Sequence, residues 1–131
     1  MSKIFHGQTE YHFNRYHTRN GTIPYRWTDS PLQALSYSLV FRLDNPSGIV
    51  IFEIERPEDF QLIGEGISSS FLPELTPKKQ PLWYLCLNQL FRNEQERDSK
   101  IKIYRTEDMP EFIEQHALPE NRERLLEIIN P

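Results

Sequence analysis

The chain has 131 residues, an apolar fraction of 37% and a charged fraction of 26%, which is typical of one globular domain over residues 1–131. The net charge of −4 gives no broad basic surface for general nucleic-acid binding, and no apolar run has the roughly 20 residues that a membrane span needs. A single cysteine, Cys86, excludes an internal disulfide, which favours a reducing, cytoplasmic setting and a core position for this thiol.

The first elements of the chain are predicted to be extended. Residues 3–6 are predicted to form a strand that ends at His6. The polar and aromatic residues 7–22 are predicted to form a long loop or a poorly formed helix, and loops of that length are often functional. Residues 23–28 are predicted to be extended, because Pro24 disfavours a helix and the neighbouring side chains are β-branched or aromatic.

A helix and a buried strand are predicted next. Asp29 or Ser30 can cap the helix, and Pro31 suits its first position. Leucines at helical spacing then give it one apolar face. A turn is predicted at 45–48, and the nearly continuous apolar run at 49–55 predicts a central strand covered on both faces.

The second half of the chain is predicted to contain an irregular segment and then four elements. Residues 57–80 are rich in proline, glycine and serine and are predicted to be mostly irregular, with a short strand at 61–63. The four elements are a helix at 81–91, a half-exposed strand at 100–104, and helices at 109–116 and 119–129. The order of strands and helices shows no regular βαβ alternation, so it predicts an α+β fold with a small mixed or antiparallel sheet and packed helices.

Three histidines lie close together in the sequence. The intervals between His6, His12 and His17 match neither a metal-binding pair on one helix face nor a zinc-finger pair, and no cysteine pair accompanies them. The sequence therefore predicts no metal site. Two of these histidines, acting as acid and base, would suit a small ribonuclease, and this alternative stays open.

Several motifs of known enzyme classes are absent from the sequence. The chain has no Gly-x-Ser-x-Gly elbow, no phosphate-binding glycine loop and no Gly-x-Gly-x-x-Gly fingerprint, which leaves triad hydrolases, P-loop proteins and Rossmann proteins unsupported. A local basic patch remains compatible with the acidic net charge, since Arg15, Arg19 and Arg26 are close in sequence.

A series of short motifs carries a resemblance to a known family. In order, they are "IFHGQ", Tyr25 followed by "TDS", Ala34 with Tyr37-Ser38, and "SGIVIFEI". Over residues 3–56 this series resembles the ADP-ribosyltransferase fold in its diphtheria-toxin and poly(ADP-ribose)-polymerase branch. The resemblance implies an ADP-ribosyltransferase-like variant of the α+β fold.

The resemblance also implies a site for NAD, which would be the substrate. By motif, His6 would hydrogen-bond the adenosine ribose of NAD, and Gly7 would let the backbone approach the nicotinamide amide. Tyr25 and Tyr37 would sandwich the nicotinamide ring. The side chains suit these roles, since imidazole hydrogen-bonds hydroxyl groups and aromatic rings stack on flat cationic rings.

The sequence departs from the family pattern at three points. Tyr25 and Tyr37 are one residue farther apart than the corresponding pair in diphtheria toxin. Gln8 stands where the family has Thr or Ser, and the late strand is not led by the glutamate that the family uses in catalysis. Asp98 and Glu107 flank that strand, whereas Glu65 and Glu74 lie in the irregular segment. Glu65 and Glu74 are the candidate catalytic residues.

The expected activity is therefore NAD-dependent transfer of ADP-ribose to a protein or nucleic-acid acceptor. The resemblance suits a toxin or effector, with NAD and an unidentified macromolecule as partners. Two alternatives from other classes remain: a non-catalytic interaction or inhibitor domain, and the histidine-dependent ribonuclease.

Overall fold

The computed structural model describes residues 2–17, 22–58, 60–65, 75, 80–86 and 91–130. Within these ranges, the strands are β1 (Lys3–Thr9), β2 (Arg26–Thr28), β3 (Ile49–Glu55), β4 (Gln61–Glu65), β5 (Leu82–Leu85) and β6 (Lys102–Arg105). They form one sheet in the order β4-β5-β2-β1-β3-β6, and every pairing is antiparallel.

Helices flank this sheet. In the same described ranges, the α-helices are α1 (Glu10–Tyr16), α2 (Pro31–Asp44), α3 (Glu94–Lys100), α4 (Met109–His116) and α5 (Arg122–Ile129). Short 3-10 turns precede α4 and α5. The predicted α+β class is confirmed, and the sheet is antiparallel.

The core consists of two hydrophobic clusters, one on each face of the sheet. The helix-side cluster includes Phe5 of β1 with residues of α2, α4 and α5, and the far-side cluster includes Trp27 and Phe52 with Phe13 of α1. Strand β3 joins both, because alternate residues of a strand face opposite sides. Its residues 49–54 are all buried, so the predicted central strand covered on both faces is confirmed.

Helix α2 begins where its sequence indicates. The Ser30 hydroxyl accepts a hydrogen bond from the Gln33 amide at 3.1 Å, and Pro31 occupies the first turn, where its missing N–H is no loss. The predicted helix is confirmed, and it lies across β1 on the helix side of the sheet. This placement creates the pocket described below.

The prediction that the first strand ends at His6 is wrong. Strand β1 continues to Thr9 and pairs with β3 along its whole length, so His6 and Gly7 lie in mid-strand. The Thr9 side chain then caps α1, so the helical alternative predicted within 7–22 is the one that forms over Glu10–Tyr16. Hydrogen bonding to a neighbouring strand overrides the local preference for a turn at His-Gly.

The prediction of a helix at 81–91 is also wrong at its start. Residues 82–85 form β5, which pairs with β2 and β4, while residues 87–90 lie outside the described residues. A short apolar run suits a buried strand as well as a helix, and only its strand neighbours decide. The charged helix α3 was not predicted, although Asn93 caps it.

The remaining predictions for the second half are mostly confirmed. The short strand forms as β4, and the half-exposed strand forms as β6 at one sheet edge. Helix α4 has its predicted bounds, and Cys86 is buried in the far-side cluster. Among the described residues, no helix combines the length and apolar character needed to cross a membrane.

Candidate functional site

A pocket of about 140 Å³ lies between α2 and the helix-side face of the sheet. The residues that line it come from four neighbouring elements: Phe5, His6, Gly7, Arg26, Thr28, Ala34, Tyr37, Phe41 and Trp83. A cavity of roughly 150 Å³ can hold one benzene ring. The size and largely aromatic lining of this pocket therefore match one flat ring.

The sheet register explains why these residues converge. Phe5 is paired with Thr28, and Thr28 is paired with Trp83, so their side chains share one face. Phe5 and Ala34 belong to the helix-side cluster. The pocket is thus a gap between this row of strand residues and α2.

Gly7 allows α2 to approach β1 closely. A Cβ atom at this position would lie 1.7 Å from the carbonyl oxygen of Ala34 and 2.7 Å from the Ser38 hydroxyl. The helix backbone thus fills the space that the missing side chain leaves. Gly7 therefore has a packing role that is independent of any ligand.

Tyr37 lies among aromatic side chains at the pocket. Its ring meets Trp83 edge-on at 5.5 Å and stacks on Phe41 at 5.9 Å. Tyr25, by contrast, is 72% exposed and is not among the residues that line this pocket. The structure does not bring the two tyrosines together here, and Trp83 is the aromatic partner of Tyr37.

The His6 ring lies on the face of the sheet opposite to α2. Its ring contacts are Trp27 at 6.0 Å and Phe52 at 6.3 Å, both in the far-side cluster. Nδ1 donates a hydrogen bond to the Arg26 carbonyl at 2.6 Å, since a carbonyl oxygen can only accept. Burial lowers the pKa of His6 to about 4 although this bond raises it, so the imidazole is neutral at pH 7.

Arg26 is the charged residue of the pocket. It is exposed at the start of β2, and within the described part of the chain none of the other residues that line the pocket carries a carboxylate. The pocket therefore combines an aromatic interior with one cation at its edge. Such a site suits a flat ring whose attached group is anionic.

Glu65, one of the two candidate catalytic residues, is not among the described residues that line this pocket. Glu65 is exposed and pairs with Leu82, which packs against the far-side cluster. It therefore lies on the other face of the sheet, near its edge. Glu74 lies outside the described residues.

His6 and His17 both lie against Phe52 on the far-side face of the sheet. His17 contacts Phe52 at 5.8 Å, and burial together with the Arg97 charge lowers its pKa to about 4. General acid–base catalysis at neutral pH needs pKa values nearer to 7. The pKa values of His6 and His17 therefore lend the ribonuclease alternative no support.

Within the described ranges, no group of three or more His, Cys, Asp or Glu side chains is arranged to hold a metal ion. Two pocket residues, Phe41 and Trp83, were not anticipated from the sequence. The four-residue interval from Tyr37 indicates Phe41, whereas Trp83 lay in a segment predicted to be helical.

Comparisons of this chain with protein-family models, with curated proteins and with solved structures found no match.

Proposed function

We propose that the pocket beside α2 binds the ring of a nucleotide, that this nucleotide is NAD, and that the protein transfers ADP-ribose to a macromolecular acceptor. The observation that carries the proposal is the ring-sized aromatic pocket, which Gly7 and Tyr37 line together with Arg26. Three of the four residues that the family resemblance implies for NAD, His6, Gly7 and Tyr37, therefore border one pocket, although the His6 ring contacts Trp27 and Phe52 on the other face of the sheet.

The chemistry of NAD suits this pocket in two ways. Nicotinamide is a flat cationic ring, which aromatic faces such as Tyr37 and Trp83 attract. The pyrophosphate of NAD is anionic and would meet Arg26 outside the pocket, because the volume of about 140 Å³ admits only the ring. Arginine binds phosphate through several N–H donors.

The transfer step rests on the resemblance alone. The bond between the ribose C1 atom and nicotinamide breaks, and nicotinamide leaves with the bonding electrons. An acceptor atom then bonds to C1 and loses its proton. A carboxylate would stabilise the positive charge that develops on the sugar, and Glu74 and Glu65 remain the proposed candidates.

A second candidate function is nucleotide binding without turnover. It is favoured by a specific observation, namely that the nine described residues that line the pocket include no carboxylate. In that case the domain would act as an interaction or inhibitor domain that responds to NAD.

The experiment measures NAD binding by calorimetry and nicotinamide release by chromatography. The variant Tyr37→Ala is compared with Tyr25→Ala, which removes the same ring from an exposed position outside the pocket. Arg26→Gln tests the phosphate contact. Thermal melting of each variant verifies that it is folded.

The expected result is a Kd at least about fivefold higher for Tyr37→Ala, which corresponds to about 1 kcal/mol of lost stacking. Tyr25→Ala should bind as the wild type does. Equal losses of NAD affinity in Tyr37→Ala and Tyr25→Ala would support stacking of nicotinamide between the two tyrosines, as the resemblance implies. Binding of NAD without nicotinamide release would support the second candidate. Absence of NAD binding by the wild type would overturn both.

A further inference from the structure

A row of aromatic rings extends from the pocket across α2 to α1. Trp83 and Tyr37 are followed by Phe41, whose ring lies 5.6 Å from that of His12. His12 stacks on Tyr16 at 6.3 Å, with the ring planes 20° apart, and Tyr11 meets it edge-on at 5.5 Å. We call these six residues the aromatic strip: Tyr11, His12, Tyr16, Tyr37, Phe41 and Trp83.

The strip is a surface feature and not part of the core. Tyr16 is 57% exposed, Tyr11 43% and Phe41 37%. The Thr9 hydroxyl lies 2.8 Å from Nδ1 of His12 and holds that ring in place. Contiguous exposed aromatic side chains are uncommon on a protein that has no partner for them.

Two arginines border the strip. Arg15 donates a hydrogen bond to the Tyr11 hydroxyl at 2.8 Å, and its guanidinium lies 5.6 Å from the centre of the Tyr16 ring. Arg26 lies at the other end, beside the pocket. Among the described residues, neither arginine has a carboxylate within ion-pair distance, and the strip itself contains no acidic residue. The strip is therefore bordered by two arginines that form no ion pair within the described part of the chain, on a protein whose net charge is −4.

From this arrangement we infer that the aromatic strip binds single-stranded nucleic acid. Every base has a flat face that can stack on an aromatic side chain, while arginines meet the phosphates, and this combination binds single strands with little sequence preference. A duplex would offer no free base faces to the rings. A proline-rich peptide would use the rings but not the two unpaired cations.

The inference differs from the proposed function in its ligand, and the strip extends beyond the pocket to Tyr11, His12 and Tyr16 while sharing Tyr37, Phe41 and Trp83 with it. Only one extension rests on the proposed function: a strand on the strip would end at the NAD pocket and would then be the acceptor. Binding of the strand itself does not require NAD.

The test is fluorescence anisotropy of the full chain with labelled 12-nucleotide oligo-dT and oligo-U, without NAD. Tyr16→Ala removes one exposed stacking ring, and Tyr25→Ala is the matched control, since Tyr25 makes none of the ring contacts of the strip. Arg15→Gln removes one phosphate contact. Its control is Arg92→Gln, because the Arg92 side chain is 89% exposed and is paired with Glu96.

We expect Tyr16→Ala to raise the Kd roughly 5- to 100-fold, the range found for loss of one base stack. With two phosphate contacts, log K should fall with log salt at a slope of about −1.4, and Arg15→Gln should reduce the slope to about −0.7. Both controls should bind as the wild type does.

The inference is overturned if the wild type binds neither oligonucleotide at low salt, or if each control variant loses as much affinity as its partner. Stronger binding of one oligonucleotide identifies RNA or DNA as the preferred strand. Binding of oligonucleotide without binding of NAD would support this inference and overturn the proposed function. Binding of NAD without binding of oligonucleotide would overturn this inference and leave the proposed function standing.

Discussion

Substitution of Gly7 by alanine tests whether α2 rests directly on the backbone of β1. The new Cβ would lie 1.7 Å from the Ala34 carbonyl oxygen and 2.6 Å from its carbon. Both atoms belong to the helix backbone and cannot rotate away. Gly48 offers a matched control, because the three atoms nearest to a Cβ there belong to the carboxyl end of the Glu10 side chain, at 2.5–2.9 Å.

The size of the effect follows from the displacement that the new atom requires. Side-chain carbons essentially never approach other atoms closer than 3.0 Å, so the carbonyl must move by at least about 1.3 Å. Helix α2 also contributes Leu35 and Leu39 to the helix-side cluster, and moving it opens gaps there. We expect Gly7→Ala to lower the free energy of unfolding by about 3 kcal/mol, at the upper end of overpacking effects.

Gly48→Ala should change the free energy of unfolding much less than Gly7→Ala does. Neither Gly7 nor Gly48 has a positive φ, so alanine is compatible with the backbone at both positions. Alanine also restricts the unfolded chain, which stabilises the fold by about 0.4–1 kcal/mol. Because the Glu10 side chain can swing into solvent, Gly48→Ala should change stability by less than about 1 kcal/mol.

Urea denaturation monitored by circular dichroism measures both variants. A loss of about 3 kcal/mol corresponds to a fall in Tm of about 12 °C for a chain of this size. The wild type and Gly48→Ala should unfold at similar urea concentrations, well above that for Gly7→Ala. Equal losses in the two variants, or a loss below about 1 kcal/mol in Gly7→Ala, would refute the close packing of α2 on β1.

Two further predictions concern pH and a helix end. Burial lowers the pKa values of His6 and His17 from 6.5 to about 4, so the unfolded chain binds more protons below neutral pH. The contribution of these neutral histidines to the free energy of unfolding should be fully present above about pH 6.5 and decrease by about 2 kcal/mol per histidine between pH 7 and pH 5. Urea titrations in which the unfolding free energy of His6→Gln depends on pH as steeply as that of the wild type would contradict this. The Arg42 guanidinium donates to the carbonyls of Ile128 and Ile129 at 2.9 and 2.8 Å and so caps the end of α5. Arg42→Ala should lower the unfolding free energy by about 1–2 kcal/mol, and unchanged hydrogen-exchange protection in α5 would contradict the capping role.

Local sequence predicted the elements whose signals lie within a few residues. The cap at Ser30 and the proline after it marked the start of α2, and the apolar run of β3 marked a strand buried on both sides. Helix α4 was predicted with its observed bounds. In these cases the hydrogen bonds or apolar contacts that select the structure come from the segment itself or from its amphipathic pattern.

The candidate site was predicted only in part. Gly7 and Tyr37 do border one pocket, but the side chains of adjacent strand residues point to opposite faces. The extension of β1 past His6 therefore directs the His6 ring away from α2. Trp83 was missed because its strand depends on pairing with β2 and β4, which are distant in sequence.

The sequence by itself determined the α+β class, the central strand and the helices, because capping groups and apolar periodicity act over one or two turns. Only the tertiary structure decided the strand order, and with it which aromatic side chains meet. Register between distant strands sets the face of each residue, so Phe5, Thr28 and Trp83 form one row although no local pattern connects them. That row, covered by α2 at Gly7, makes the pocket and the beginning of the aromatic strip.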